Sequence, residues 1–229
     1  MIDAVLVDLD DTCFDQREFL VGAFDAVARR AAEFGVDERS LRDALQNAAS
    51  VGSDRGGIID EALRAAGASV PVRPLVDSFR SYRPTRLTTY PGVREGLDQM
   101  RRLAPLGLVT NGDPVGQRAK LGALGLDDAF DIIVLSDELG RNFRKPHPAP
   151  FLQALRLLGA EAGRSFFIGD HPERDIAGAQ RVGIRAIRVC TGEYASRPDF
   201  VAPWRTSPEA ASALRALAEL ATAERNRPT

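Results

Sequence analysis

The opening seven residues constrain this chain most. Ile2-Asp3-Ala4-Val5-Leu6-Val7 is a nearly continuous apolar run rich in branched side chains, and it stops on Asp8-Leu9-Asp10-Asp11-Thr12. A run without polar alternation reads as a strand buried on both faces, which belongs in a parallel sheet covered by helices. Four similar runs follow, over residues 106–109, 130–135, 165–168 and 184–189. Helical patterns lie between them, over residues 92–103, 115–124, 148–158 and 175–182, the last stopped by Gly183. Strands alternating with helices predict an α/β fold: a Rossmann-like parallel sheet with right-handed crossovers, flanked by helices.

Residues 15 to 86 break the alternation. Phe19, Phe24, Val27 and Ala31 mark one amphipathic helix, and Leu41, Leu45 and Ala48 a second. Ile58, Ile59, Leu63 and Ala66 mark a third, and residues 75–82 a fourth, with a glycine-rich polar break at 52–57. The expected organisation is a core of residues 1–14 and 87–229 with an α-helical unit, 15–86, inserted after the first strand. A surface helix is expected at the end, with Ser207 as its cap, Pro208 in its first turn, and Leu214, Leu217 and Leu220 on its apolar face.

Open sheets of this kind bind ligands outside the carboxyl ends of their strands. The residues found there are chemical ones. The first strand runs into Asp8 and Asp10, the second into Thr110-Asn111-Gly112, the third into a loop with Lys145-Pro146, and the fourth into Gly169-Asp170 with Asp175 five positions on. Clustered carboxylates repel one another in a cleft of low dielectric. A divalent cation relieves that repulsion, and carboxylates with water suit magnesium. With Lys145 and Thr110 added, the set has the form of a phosphate site. The chemistry asks for two different carboxylates: an ionised nucleophile, and an acid that protonates an alcohol leaving group and later accepts a proton from water. Asp8 suits the first task and Asp10 the second.

At these positions the chain resembles the haloacid dehalogenase superfamily, specifically its phosphatases with a helical cap inserted after the first strand. The apolar run with Asp8-Leu9-Asp10-Asp11-Thr12 is similar to the family's first motif, and Val109-Thr110-Asn111-Gly112 to the second. Lys145-Pro146-His147-Pro148 is similar to the third. Gly169-Asp170 with Asp175-Ile176-Ala177-Gly178-Ala179 is similar to the fourth. Each motif alone is weakly specific; four in order, each after a strand, is a strong signal. The resemblance implies an aspartyl-phosphate at Asp8, acid–base work by Asp10, and Thr12 supporting their loop. It implies that Thr110 and Lys145 hold the phosphate, with Asn111 beside them as a further substrate-binding residue. Magnesium would be held by the Asp8 and Asp170 side chains and the Asp10 main-chain carbonyl, with Asp175 supporting. The sheet order implied is third, second, first, fourth, fifth strand, and the insertion would be a mobile cap closing over the substrate.

The chain departs from the pattern in places. Asp11 stands where many members have glycine, Cys13 replaces the usual leucine, residues 140–144 lengthen the loop before Lys145, and His171-Pro172 follows Asp170. His147 and His171 read as loop residues near the rim, with contact between His171 and the leaving group left open. Arg55, beside Gly56-Gly57, is the cap arginine singled out as a candidate substrate contact, its role left open.

Charge narrows the partners. Lys plus Arg number 30 and Asp plus Glu 32, a formal charge of -2, which argues against a nucleic acid polymer. The expected partner is a small-molecule phosphate ester. The two cysteines, Cys13 and Cys190, are too few and too far apart for a disulfide framework. With no signal peptide recognised and no apolar run long enough for a membrane span, a cytoplasmic location is expected. Monomer and homodimer both fit. Three other functions stay in view: a phosphosugar mutase, a haloacid dehalogenase, and a binding protein with a dead site. The last predicts losses among Asp8, Asp10, Lys145 and Asp170, and none is lost.

Overall fold

The computed structural model describes residues 1–53 and 55–226. Residue 54, inside the glycine-rich break, lies outside them. The chain divides into two compact units, one of Met1–Gln16 with Arg86–Thr229 and one of Arg17–Thr85.

The first unit is built on a six-stranded parallel sheet: β1 (Ala4–Val7), β2 (Leu106–Thr110), β3 (Ile132–Leu135), β4 (Ser165–Gly169), β5 (Arg185–Val189) and β6 (Arg205–Ser207), in the order β3-β2-β1-β4-β5-β6. Residues sharing one face follow the two-residue period. Leu6, Val109, Phe167 and Ala186 form one cluster with Phe151, Ala154 and Leu155 of α7 (Ala149–Leu158) and with Ile176 and Ala179. Their sequence neighbours Val5, Leu108, Phe166 and Ile187 are equally buried, so both faces are covered. That two-sided burial is why the strands carry apolar runs rather than alternation. The remaining helices of this unit are α5 (Val93–Arg101), α6 (Pro114–Leu124), the short α8 (Gly178–Arg181) and α9 (Ala210–Arg225). Buried Leu97 and Leu214 mark the packed faces of α5 and α9, and a Cβ at Gly96 would lie 3.1 Å from Leu214.

Three expectations change in detail. The sheet has a sixth strand, β6, too short and polar to stand out as an apolar run, as edge strands often are. Ser207 ends that strand and does not cap α9, which begins at Ala210 after an extended Glu209. The helix expected over 175–182 is a π-helical turn, Pro172–Ala177, running into α8.

The second unit contains α1 (Gln16–Ala32), which begins one residue earlier, then α2 (Glu38–Ala49), α3 (Ile58–Ala65) and α4 (Val72–Ser81). Asp37 caps α2 by accepting from the Ser40 N–H at 2.8 Å. Phe79 of α4 lies 6.2 Å from Phe19 and 6.0 Å from Phe24 of α1, ring centre to ring centre. Arg55 donates to Glu61 at 2.6 Å and to the Ala48 carbonyl at 2.7 Å, so its guanidinium ties α2 to α3. These contacts lie inside its own unit, and both are made by one nitrogen of the guanidinium.

The two crossings between units leave the first unit closed on itself. Phe14 bridges to Thr89, and the Tyr90 N–H donates to the Cys13 carbonyl at 2.9 Å. Among the described residues no helix is long and apolar enough to cross a membrane.

Candidate active site

The strand register decides where the acidic residues fall. Val7 pairs with Leu108 on one side and Ile168 on the other, and the Asp8 N–H continues the ladder to the Ile168 carbonyl at 3.0 Å. Asp8, Thr110 and Asp170 therefore emerge at the carboxyl ends of the three central strands, where the chain order reverses and a crevice forms.

Lys145 binds this edge together. Its Nζ donates to Asp8 Oδ1 at 2.6 Å, Asp175 Oδ1 at 2.7 Å and the Val109 carbonyl at 2.9 Å, which uses all three ammonium protons. Asp8, Asp170 and Asp175 are buried and offer carboxylate oxygens within 4.8 Å of one another. Thr12 Oγ1 reaches Asp170 Oδ1 at 3.4 Å. Gly169 makes the cluster possible, because a Cβ there would lie 2.6 Å from the Asp175 carboxyl. The second Asp175 oxygen accepts from the His171 N–H at 3.0 Å.

Charge does not balance here. Burial pushes the Asp8 carboxyl up to about 7; Lys145 opposes that, while Asp175 and Asp10 add repulsion. Burial raises Asp170 well above the carboxylate range, and repulsion from Asp175 and Asp8 adds to it. Burial works against the Lys145 ammonium, but the carboxylates of Asp175 and Asp8 outweigh it and raise its pKa. Three buried carboxyls thus surround one firmly held cation. A hard divalent ion fits this all-oxygen donor set, and its charge supplies what Lys145 alone does not.

Asp10 lies apart from that cluster. Its Oδ1 accepts from Lys120 Nζ at 2.6 Å and its Oδ2 from Gln117 Nε2 at 2.9 Å. Both side-chain oxygens are thus engaged by α6, which is compatible with the expectation that only the main-chain carbonyl of Asp10 serves a metal. The same Gln117 amide reaches Thr110 Oγ1 at 2.7 Å.

Asn111 sits at the rim, but its side chain faces the protein. Its Oδ1 accepts from the Lys145 N–H at 2.9 Å and from Ser136 Oγ at 2.8 Å, and its Nδ2 donates to the Lys145 carbonyl at 3.0 Å. The amide grips the Lys145 main chain from both sides.

His171 is likewise occupied. Its Nδ1 accepts from the Glu173 and Arg174 N–H groups at 3.2 and 3.1 Å, and its ring lies 4.2 Å from that of Tyr194. Burial lowers its pKa against the pull of Asp175, which favours the neutral ring that such capping needs. His147 caps α7 through Ala149 N–H at 3.1 Å.

Asp11, the residue in place of the family's glycine, adopts φ 56. Its carboxylate accepts from the Gln16 and Glu193 N–H groups at 2.9 and 3.1 Å, and its carbonyl accepts from Thr191 Oγ1 at 2.5 Å. Aspartate tolerates the left-handed region better than most residues, and these bonds hold it there.

Sequence reasoning did not single out Gln117, Lys120 or Ser136. A signal existed for the first two: they stand three apart on a helix that follows the Thr110 motif, on the face that also carries Leu121 and Leu124.

Comparison with known proteins agrees with this geometry. A family model described as haloacid dehalogenase-like hydrolase matches residues 2–183. A glyceraldehyde 3-phosphate phosphatase of Methanopyrus kandleri is 32% identical over 203 residues, covering 85% of this chain and 86% of its own. The crystal structure of a HAD phosphatase from Thermococcus onnurineus has the same fold, with TM-score 0.67 over 95% of this chain and 97% of its own at 23% identity. A 2-haloacid dehalogenase from Pseudomonas syringae pv. Tomato DC3000 aligns with TM-score 0.67 and 28% identity over 96% of this chain and all of its own, 100%. Because the family match runs from the first strand through the fourth motif, this chain belongs to the haloacid dehalogenase-like hydrolases.

Proposed function

We propose that the chain is a magnesium-dependent phosphatase of small phosphate monoesters, acting through an aspartyl-phosphate on Asp8. The observation that carries the reading is the buried Asp8–Lys145 pair at 2.6 Å inside the Asp8, Asp170 and Asp175 cluster. Its relative from Methanopyrus kandleri, a glyceraldehyde 3-phosphate phosphatase, supports the substrate class.

An Asp8 oxygen attacks phosphorus, the ester P–O bond breaks, and the departing alkoxide takes a proton from Asp10. Water then attacks the phosphorus of the aspartyl-phosphate. Asp10 accepts its proton, the Asp8–phosphorus bond breaks, and phosphate leaves with Asp8 restored. Lys145 and the Thr110 hydroxyl hold the phosphoryl oxygens, and Asn111 keeps Lys145 in place. Asp8 and Asp170, with the Asp10 carbonyl, are the residues that would hold magnesium, supported by Asp175 and Thr12. The ion would supply positive charge to the phosphoryl group and keep Asp8 ionised. Acid–base help contributes about 10²–10⁴-fold, so most of the acceleration comes from charge and positioning.

The helical insertion is assigned the part of a cap that selects the ester. The helical character of the segment that follows the first motif supports it. The free thiols of Cys13 and Cys190 support a cytoplasmic setting.

A second reading, dehalogenation of a haloacid, is favoured by the likeness to the Pseudomonas syringae enzyme. It gives no work to an acid at Asp10 or to a cation, since a halide leaves unprotonated. One experiment separates the two. Phosphate release from a panel of small phosphomonoesters is measured with magnesium and with chelator, for wild type and Asp8→Asn, beside halide release from 2-haloacids. Magnesium-dependent phosphate release that Asp8→Asn abolishes is the expected result. Halide release without phosphate release, in folded protein, would sink the phosphatase reading.

A further inference from the structure

We propose that Lys120 and Gln117 are positioning residues for Asp10, setting the acid–base carboxylate against Thr110 through one shared amide. The inference rests on the phosphatase reading above.

Both Asp10 oxygens are engaged from the same helix. Lys120 Nζ holds Oδ1 at 2.6 Å, and Gln117 Nε2 holds Oδ2 at 2.9 Å. A carboxylate fixed at both oxygens by side chains of one rigid element is held in one orientation, which acid–base catalysis requires. The Gln117 amide also donates to Thr110 Oγ1 at 2.7 Å. A single planar group therefore spans from the acid to the hydroxyl assigned to the phosphate.

Packing alone gives no reason for these two residues. Among the three buried residues of α6, Gln117 and Lys120 are polar and only Leu121 is apolar. They are 3% and 6% exposed, at positions where an amphipathic helix ordinarily buries hydrocarbon. Burying an amide and an ammonium costs free energy unless each is paired, and here the pairing is to Asp10. The backbone makes room for the arrangement. Gly112 has φ +129, and a Cβ there would stand 3.2 Å from Gln117 Cδ. From the other side, the Phe14 ring lies 6.0 Å from Lys120 Nζ, and Phe14 itself bridges to Asp10.

The test uses Lys120→Met and Gln117→Met, each alone and combined with Asp10→Asn. The kcat/KM, which reports phosphoryl transfer to Asp8, is measured for glycerol phosphate and for p-nitrophenyl phosphate. The nitrophenolate leaves without an acid, while the alkoxide needs one. We expect each variant to lose about 10- to 100-fold on the alkyl ester, inside the range of acid–base help, and less than about three-fold on the aryl ester. In the Asp10→Asn background neither substitution should cause further loss, because residues acting through one group are not additive. Equal losses on both esters, or losses that multiply with Asp10→Asn, would overturn the proposal and leave Lys120 and Gln117 a merely structural role. Should Lys120→Met not fold, Gln117→Met, which keeps the ion pair, carries the same two criteria alone. A wild type that releases phosphate from no ester of the panel overturns the phosphatase reading itself, and that failure is read before any variant is assayed.

Discussion

Gly169 and Asp175 approach so closely that a methyl group on the first would meet the carboxyl of the second at 2.6 Å. Gly169 closes β4 and Asp175 lies in the π-helical turn that follows, so the contact folds the turn back over the strand end. It is this fold-back that brings Asp175 within 2.7 Å of Lys145. Gly169→Ala is therefore expected to destabilise the protein by about 1–3 kcal/mol, the usual cost of overpacking. Activity should fall more than the stability loss explains, since Lys145 loses its alignment. Chemical denaturation beside phosphate release checks both; an alanine variant with wild-type values would show the turn to be compliant.

The acidic cluster gives the metal-free protein an unusual pH dependence. Burial pushes Asp8 up to about 7, from an ordinary value of 3.8. Asp170 is raised as well. Between about pH 4 and pH 7 the folded chain then holds more protons than the unfolded chain, so stability falls as pH rises through that window. In chelator, the melting temperature should drop from about pH 4 to about pH 7, and Asp8→Asn should flatten the drop. Magnesium should remove it, by supplying the positive charge that the protons otherwise provide. A chelated wild type that grows more stable over this range would contradict the account.

Asn111 provides a test of how Lys145 is placed. Its amide makes both hydrogen bonds to the Lys145 main chain and accepts the Ser136 hydroxyl. Asn111→Ala leaves those partners unmatched, at a cost of about 1–3 kcal/mol. If Asn111 acts through Lys145, kcat should fall while the ranking of substrates stays unchanged. A changed ranking would instead make Asn111 a direct substrate contact.

The two thiols should behave oppositely. Cys13 is fully buried, its Sγ is 3.3 Å from the Asp8 carbonyl, and burial together with repulsion from Asp8 and Asp10 pushes its pKa up. Cys190 is exposed. A thiol reagent should modify only Cys190 in the native protein, without loss of activity, and both thiols in denaturant. Rapid native modification of Cys13 would show that the Asp8 loop opens readily.

Much of this was legible in the sequence because burial on both sheet faces imposes continuous apolar runs, and strand ends are where the chemistry must lie. The five longer strands and the placement of Asp8, Thr110, Lys145, Asp170 and Asp175 at one edge follow from those two facts. Other features left no such trace. β6 is three polar residues, and what makes them a strand is their pairing with the neighbouring β5 rather than any apolar pattern of their own. Gln117 and Lys120 left only their spacing on the Leu121 face as a trace, because docking of the helix is what brings Asp10 within reach. Arg55 is a different case: its glycine-rich surroundings suggested a ligand contact, and the fold adds a pairing with Glu61 six positions away that the sequence did not announce. Local charge pairing of that kind is hard to see without the turn that permits it.

The bridge between Phe14 and Thr89 has a consequence for how such a chain can change over time. The two points where the chain departs for the helical insertion and returns from it are already joined by main-chain hydrogen bonding. The length of the excursion between them is then a weak constraint on the sheet, since the cost of loop closure grows only slowly with length. A shorter, longer or wholly different insert could be spliced at this seam without disturbing the strand ends, so the insertion can be exchanged as a cassette while Asp8 and its neighbours stay where they are.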